Sequence, residues 1–163
     1  MKNKEKYFDQ IYADLKDKIY RLCLGFMGNT ADADDLFQEV LIRIWKSLDS
    51  FRQESSINTW VYRITTNTAL LSINKINKSK YRETNLLPNN LKTETTQVVE
   101  SDKQDQIKKL YQAISTLKEI DRIIISLLLE DNTYKEIAEI TGISTSNVGA
   151  RINRIKKKLI TKI

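Results

Sequence analysis

Thr133-Tyr134-Lys135-Glu136-Ile137-Ala138-Glu139-Ile140-Thr141-Gly142-Ile143-Ser144 carries the punctuation of two consecutive helices. Thr133 followed by Glu136 is a capping box, in which each residue satisfies a backbone N–H of the other at a helix start. Gly142 supplies the left-handed conformation that ends the helix, and Ser144 caps a second one running from Thr145 to about Lys162. Helix, short glycine turn, helix is the helix-turn-helix pattern. The small Ala138 lets the two helices approach, and Ile143 and Val148 suit the core between them.

The second helix has two unlike faces. Val148, Ile152, Ile155 and Leu159 step by four, three and four and form the inward stripe. Ser146, Ala150, Asn153 and Lys157 lie roughly opposite, flanked by Asn147, Arg151, Arg154 and Lys158. Amides suit adenine edges, arginine suits guanine or phosphate, and lysine suits phosphate, so this face fits a DNA major groove. The run Lys156-Lys157-Lys158 also fits an ordinary solvated helix end, where cations complement the helix dipole.

Helical periodicity continues upstream. Phe8, Ile11, Tyr12, Leu15, Ile19, Leu22, Cys23 and Phe26 mark one long helix. Asn29 and Thr30 are cap candidates, after which Leu36, Phe37, Val40, Leu41, Ile44, Trp45 and Leu48 mark a second. Ile57, Trp60, Val61, Ile64 and Leu71 outline a third, reaching about Lys75. The sequence therefore predicts an all-α protein of two small helical domains. Residues 1–76 form a three-helix bundle, 77–105 a flexible linker without period around Pro88, and 106–163 the helix-turn-helix domain.

The chain has 163 residues, no histidine and one cysteine. No imidazole base, His-ligated zinc, intrachain disulfide or thiolate cluster is available, and no metal or cofactor is expected. No nucleophile, base and orienting acid occur together at a meaningful spacing, so an enzyme is not expected. The longest apolar run, Ile123–Leu129, is far short of the about 20 residues that cross a bilayer. With a polar N-terminus as well, the chain reads as cytoplasmic, without membrane insertion. The net charge of +6 is unevenly spread. Residues 52–82 hold six basic groups against Glu54, and residues 133–163 hold seven against Glu136 and Glu139. An acidic stretch separates them, which gives two anion-facing surfaces.

Asp32-Ala33-Asp34-Asp35-Leu36-Phe37-Gln38-Glu39-Val40-Leu41-Ile42-Arg43-Ile44-Trp45 closely resembles the second conserved region of bacterial sigma factors, in particular the extracytoplasmic-function group. Phe51 with Thr59-Trp60-Val61-Tyr62-Arg63-Ile64-Thr65-Thr66-Asn67-Thr68-Ala69 resembles that group's promoter-melting helix. Tyr134–Glu139, Gly142-Ile143-Ser144 and Val148 resemble its fourth region. The resemblance implies that Asp34, Asp35, Gln38 and Glu39 dock on a basic coiled coil of the polymerase β′ subunit. Helix-dipole complementation accounts equally for the aspartates, but not for Gln38 and Glu39 further along. It also implies that Phe51, Arg52, Asn58, Thr59, Trp60, Arg63 and Asn67 meet an opened minus-ten strand, with Lys75, Lys78 and Lys80 on phosphates. Ser146, Asn147, Ala150, Arg151, Asn153, Arg154 and Lys157 would read the minus-thirty-five duplex. Implied partners are core RNA polymerase through β′ and β, promoter DNA and an anti-sigma factor. Leu71, Asn74 and Gly149 depart from the residues common in the group.

A free-standing helix-turn-helix regulator binding operators as a dimer accounts for residues 107–163 equally well. It leaves Asp34–Glu39, the basic third helix and the long linker without a task. A helical adaptor with basic surfaces for membranes or acidic proteins is a third class.

Overall fold

The computed structural model describes residues 2–84 and 102–163. Seven α-helices are found there, with no strand among the described residues: α1 Lys2–Met27, α2 Thr30–Ser47, α3 Ile57–Thr84, α4 Asp102–Ser115, α5 Glu119–Leu129, α6 Tyr134–Thr141 and α7 Thr145–Lys162. A single 3-10 turn, Leu48–Ser50, follows α2. No described helix is long and apolar enough to cross a membrane.

The helix boundaries follow local chemistry. Gly28 adopts a φ of +83° and donates its N–H to the Leu24 carbonyl at 2.8 Å, ending α1. Asn29 then caps α2 by accepting from the Asp32 N–H at 2.8 Å. At the other end of the chain, Thr133 Oγ1 accepts from the Glu136 N–H at 3.1 Å while Glu136 Oε1 accepts from the Thr133 N–H at 3.4 Å. Gly142 is left-handed with φ +77°, and Ser144 accepts from the Asn147 N–H.

Two expectations need correction. The third helix does not stop near Lys75 but runs through Thr84, so the first eight residues assigned to the linker are helical. Once nucleated, a helix gains one hydrogen bond per residue and needs no apolar stripe to continue over solvent. The last of the residues assigned to the linker, 102–105, begin α4. The rest of that segment, with Pro88, lies outside the described residues. Within the stripes, Tyr12, Trp45 and Leu71 are exposed. Trp45 still packs its ring edge-on against Phe8 at 5.4 Å, under the Lys4 ammonium.

The interior is one continuous core. From α1, Ile11, Leu15, Ile19, Leu22, Cys23 and Phe26 are buried, and they join Leu36, Val40 and Ile44 of α2 and Val61, Tyr62 and Ala69 of α3. Ile123, Ile124, Ile125 and Leu127 of α5 join the same cluster, together with Ile137, Ile140, Val148, Ile152, Ile155 and Leu159. The N-terminal and C-terminal helices are thus packed against each other, α1 on α4 and α5, and α3 on α5 and α6. Of the buried threonines of α3, Thr65 and Thr68 donate to the carbonyls of Val61 and Ile64, while the Thr66 hydroxyl has no protein partner.

Gly25 lies in the last turns of α1, where glycine costs about 1 kcal/mol of helix propensity relative to alanine. Packing explains it. A Cβ there would overlap Ser126 Oγ and stand 2.9 Å from Ser126 Cβ, so α5 approaches α1 only because the side chain is missing.

Burial pushes the Cys23 thiol up to about 12, which leaves almost no thiolate at neutral pH. The folded protein should therefore resist iodoacetamide at pH 8 and react fully in denaturant, as read by mass spectrometry. Removing the cap oxygen in Thr133→Ala should lower stability by about 1 kcal/mol in urea unfolding, with Thr133→Ser close to the parent.

Candidate polymerase and promoter surfaces

Three sets of sequence-selected residues fall on three separate parts of the surface. On α2, Asp34, Asp35 and Gln38 are exposed and Glu39 is half-buried. The helix periodicity splits them across a ridge. Asp34 faces the α1 side, where the Tyr20 hydroxyl donates to its Oδ1 at 2.7 Å and Phe37 packs edge-on against Tyr20. That hydrogen bond raises the Tyr20 phenol above its ordinary range, because the carboxylate favours the protonated form. Asp35 and Glu39, one turn apart, line a cleft between α2 and α3 with Asp32, Arg43, Leu71 and Lys75. Arg43 Nε donates to Glu39 Oε1 at 3.0 Å. Tyr20, Arg43 and Leu71 were not singled out in the sequence for this surface. The Arg43 pairing is legible there, because Glu39 and Arg43 stand at i and i+4.

The second set lies along the loop before α3 and its first turns. Phe51 and Trp60 stack with centroids 4.9 Å apart and a 45° tilt, leaving both rings half-buried at the surface. Arg52, Asn58, Arg63 and Asn67 are exposed around them, and Lys78 follows further along the helix. Thr59 differs from expectation. It is buried, its hydroxyl accepts from Ser56 Oγ at 2.9 Å, and its N–H is capped by the same serine. Its role is to start α3, which removes it from the exposed set. Lys75 turns toward the acidic cleft instead of extending the aromatic patch. Arg63 is exposed, yet its Nε donates to the Glu139 carbonyl of α6 at 3.1 Å.

On α7 the inward stripe is Val148, Ile152, Ile155 and Leu159, as the periodicity predicts. Ser146, Asn147, Ala150, Asn153, Arg154 and Lys157 are exposed. Arg151 is not a free reader. Its NH1 pairs with the buried Asp121 of α5 at 3.0 Å, and its Nε donates to Asn147 Oδ1 at 3.2 Å. The helix wheel places Arg151 at the edge of the outward face, and a buried carboxylate from another helix is beyond what local pattern reveals. Gly149 lies under the Tyr134 ring, at ordinary van der Waals distance for an added Cβ.

The two helical halves, with an acidic ridge on α2 of the first and an outward basic face on α7 of the second, make a two-region all-α fold around one core. Family models agree: "Sigma-70 region 2" matches residues 11–78 and "Sigma-70, region 4" matches residues 107–159. The ECF RNA polymerase sigma factor SigW of Bacillus subtilis is 32% identical over 97% of this chain and 89% of its own length. The sigma factor RpoE of Bartonella quintana, solved with the anti-sigma factor NepR, superposes with a TM-score of 0.78 at 20% identity over 96% of both chains. CnrH, solved with the cytosolic domain of CnrY, gives 0.68 at 20% identity over 96% of this chain and 87% of its own. These two likenesses speak to the fold. The chain belongs to the extracytoplasmic-function sigma factors. It is accordingly an alternative sigma factor directing transcription initiation, and the free-standing regulator is not favoured.

Gly149→Ala should raise stability by up to about 1 kcal/mol, since the helix gains propensity and Tyr134 leaves room. Thermal unfolding checks the sign.

Proposed function

We propose that the α2 ridge docks this chain on core RNA polymerase, that α3 holds the opened minus-ten strand, and that α7 reads the minus-thirty-five duplex. The observation that carries the docking is the position of Asp35 and Gln38. Both are exposed past the point where a helix N-terminus accounts for their chemistry, and neither makes an ion pair or side-chain hydrogen bond among the described residues. Their complement is a cationic surface such as the basic coiled coil of β′.

For the minus-ten strand, the support is a stacked Phe51–Trp60 pair ringed by Arg52, Asn58, Arg63 and Asn67. Aromatic faces stack on unpaired bases and cations follow the phosphates, the combination that single-strand binding uses. For the duplex, Ser146, Asn147, Asn153, Arg154 and Lys157 project from the face of α7 opposite its core. Arg151 contributes by holding Asn147 and tying α7 to Asp121. Region 4 would also meet the β subunit. Bond making belongs to the polymerase in this scheme, and the chain supplies placement without a catalytic centre, cofactor or metal of its own. Its site of action is then the cytoplasm. RpoE was solved with an anti-sigma factor and CnrH with the cytosolic domain of CnrY, which supports an anti-sigma factor for this chain as well.

The decisive experiment is reconstituted transcription. Core bacterial polymerase with this chain, and no other sigma, should start transcripts at a cognate promoter selected from random fragments. Failure to associate with core in a pull-down would overturn the reading. Asp35→Lys with Glu39→Lys should weaken core binding at least tenfold while circular dichroism stays unchanged. Arg154→Ala should spare core binding, weaken minus-thirty-five recognition and reduce the salt dependence of duplex binding.

A further inference from the structure

The first turn of α1 reaches the far end of α2. Lys4 Nζ donates to Asp49 Oδ2 at 2.7 Å and sits 4.6 Å from the centre of the Trp45 ring. Phe8, one turn along α1, braces the same ring edge-on at 5.4 Å. The Lys4 side chain is only 21% exposed as a result, although a lysine on an outer helix turn ordinarily extends into water. A cation held between a carboxylate and an indole face contributes a defined position as well as a charge.

What Lys4 holds is the turn that leads into the aromatic patch. Asp49 belongs to the 3-10 turn Leu48–Ser50, and Phe51 follows directly. The bonds within this turn are local: the Phe51 N–H donates to the Leu48 carbonyl at 3.3 Å and Ser50 Oγ to the Ser47 carbonyl at 2.7 Å. They set its shape but not its place relative to the other helices. Beyond it the backbone is non-helical until Ile57 and bends at Gln53, whose φ is +58°. Gln53 in turn shares a groove with Asn3, Lys4, Tyr7 and Asp49. Among the described residues, Lys4–Asp49 is the one side-chain hydrogen bond that joins residues 48–56 to a helix other than the flanking α2 and α3.

We propose that Lys4 is a positioning residue for promoter recognition: through Asp49 it fixes where the loop presents Phe51 and Arg52 to the opened strand. The inference rests on the minus-ten assignment of Phe51 and not on polymerase binding. Charge alone gives the opposite expectation for Asp49. A carboxylate beside a phosphate chain repels it, so its removal would tighten strand binding; as the handle by which Lys4 holds the loop, its removal weakens binding.

Two measurements on the full chain test this: hydrogen exchange of segment 47–56 by mass spectrometry, and fluorescence anisotropy with a labelled random-sequence DNA single strand. Lys4→Ala and Asp49→Ala should each speed exchange across the segment and weaken strand binding by up to about fivefold, the limit for one exposed ion pair. The double variant should be no weaker than either single, and Lys4→Arg should stay near the parent. The salt dependence of strand binding should be the same in Lys4→Ala as in the parent, because no phosphate contact is lost. Unchanged exchange in both single variants, tighter binding by Asp49→Ala, or a shallower salt dependence in Lys4→Ala would each overturn the positioning role. Strand binding indifferent to Phe51→Ala would instead overturn the minus-ten assignment and the role built on it, even where exchange is faster.

Discussion

A helix with isoleucine or leucine on nearly every side has to be enclosed, and α5 imposes that demand on the rest of the molecule. Ile123, Ile124, Ile125, Ser126 and Leu127 are all buried, and at 100° per residue five consecutive positions sweep the full circumference of the helix. A single neighbour covers one stripe only. Here α6 and α7 cover part of α5 and α1 covers another part, so the helix-turn-helix and the N-terminal bundle share a wall. The side turned to Gly25 carries Ser126, the one polar residue of that run. A small hydroxyl there makes exposure of this seam far less costly than exposure of another isoleucine.

The polar contacts divide the charged residues into those that hold the fold and those that remain free. Asp121 is buried, and the Arg151 guanidinium pairs with it, so a residue at the edge of the outward face of α7 is anchored from below. Removing Arg151 leaves the Asp121 carboxylate desolvated and unpaired, a much larger effect than the loss of a surface pair. Glu130 is similarly covered, its side chain 8% exposed, while Arg21 keeps 45% exposure and solvent screens its half of the pair. Asn153, Arg154 and Lys157 have no such ties among the described residues and stay available to a partner.

Most of the local architecture was legible in the sequence because its causes are local. The Thr133–Glu136 capping box, the left-handed Gly142, the Ser144 and Asn29 caps and the α7 stripe each depend on residues within a turn or two. What escaped depends on partners far along the chain. The extra residues of α3 carry no apolar stripe, and Asn77, Lys78 and Ser79 among them are exposed. Gly25 reads as an unfavourable helix residue until Ser126, a hundred positions later, is seen opposite it. Thr59 and Arg151 have the chemistry of contact residues, and only burial and pairing show that one starts a helix and the other braces one. The family resemblance pointed to three candidate surfaces but not to the packing of one half of the chain on the other.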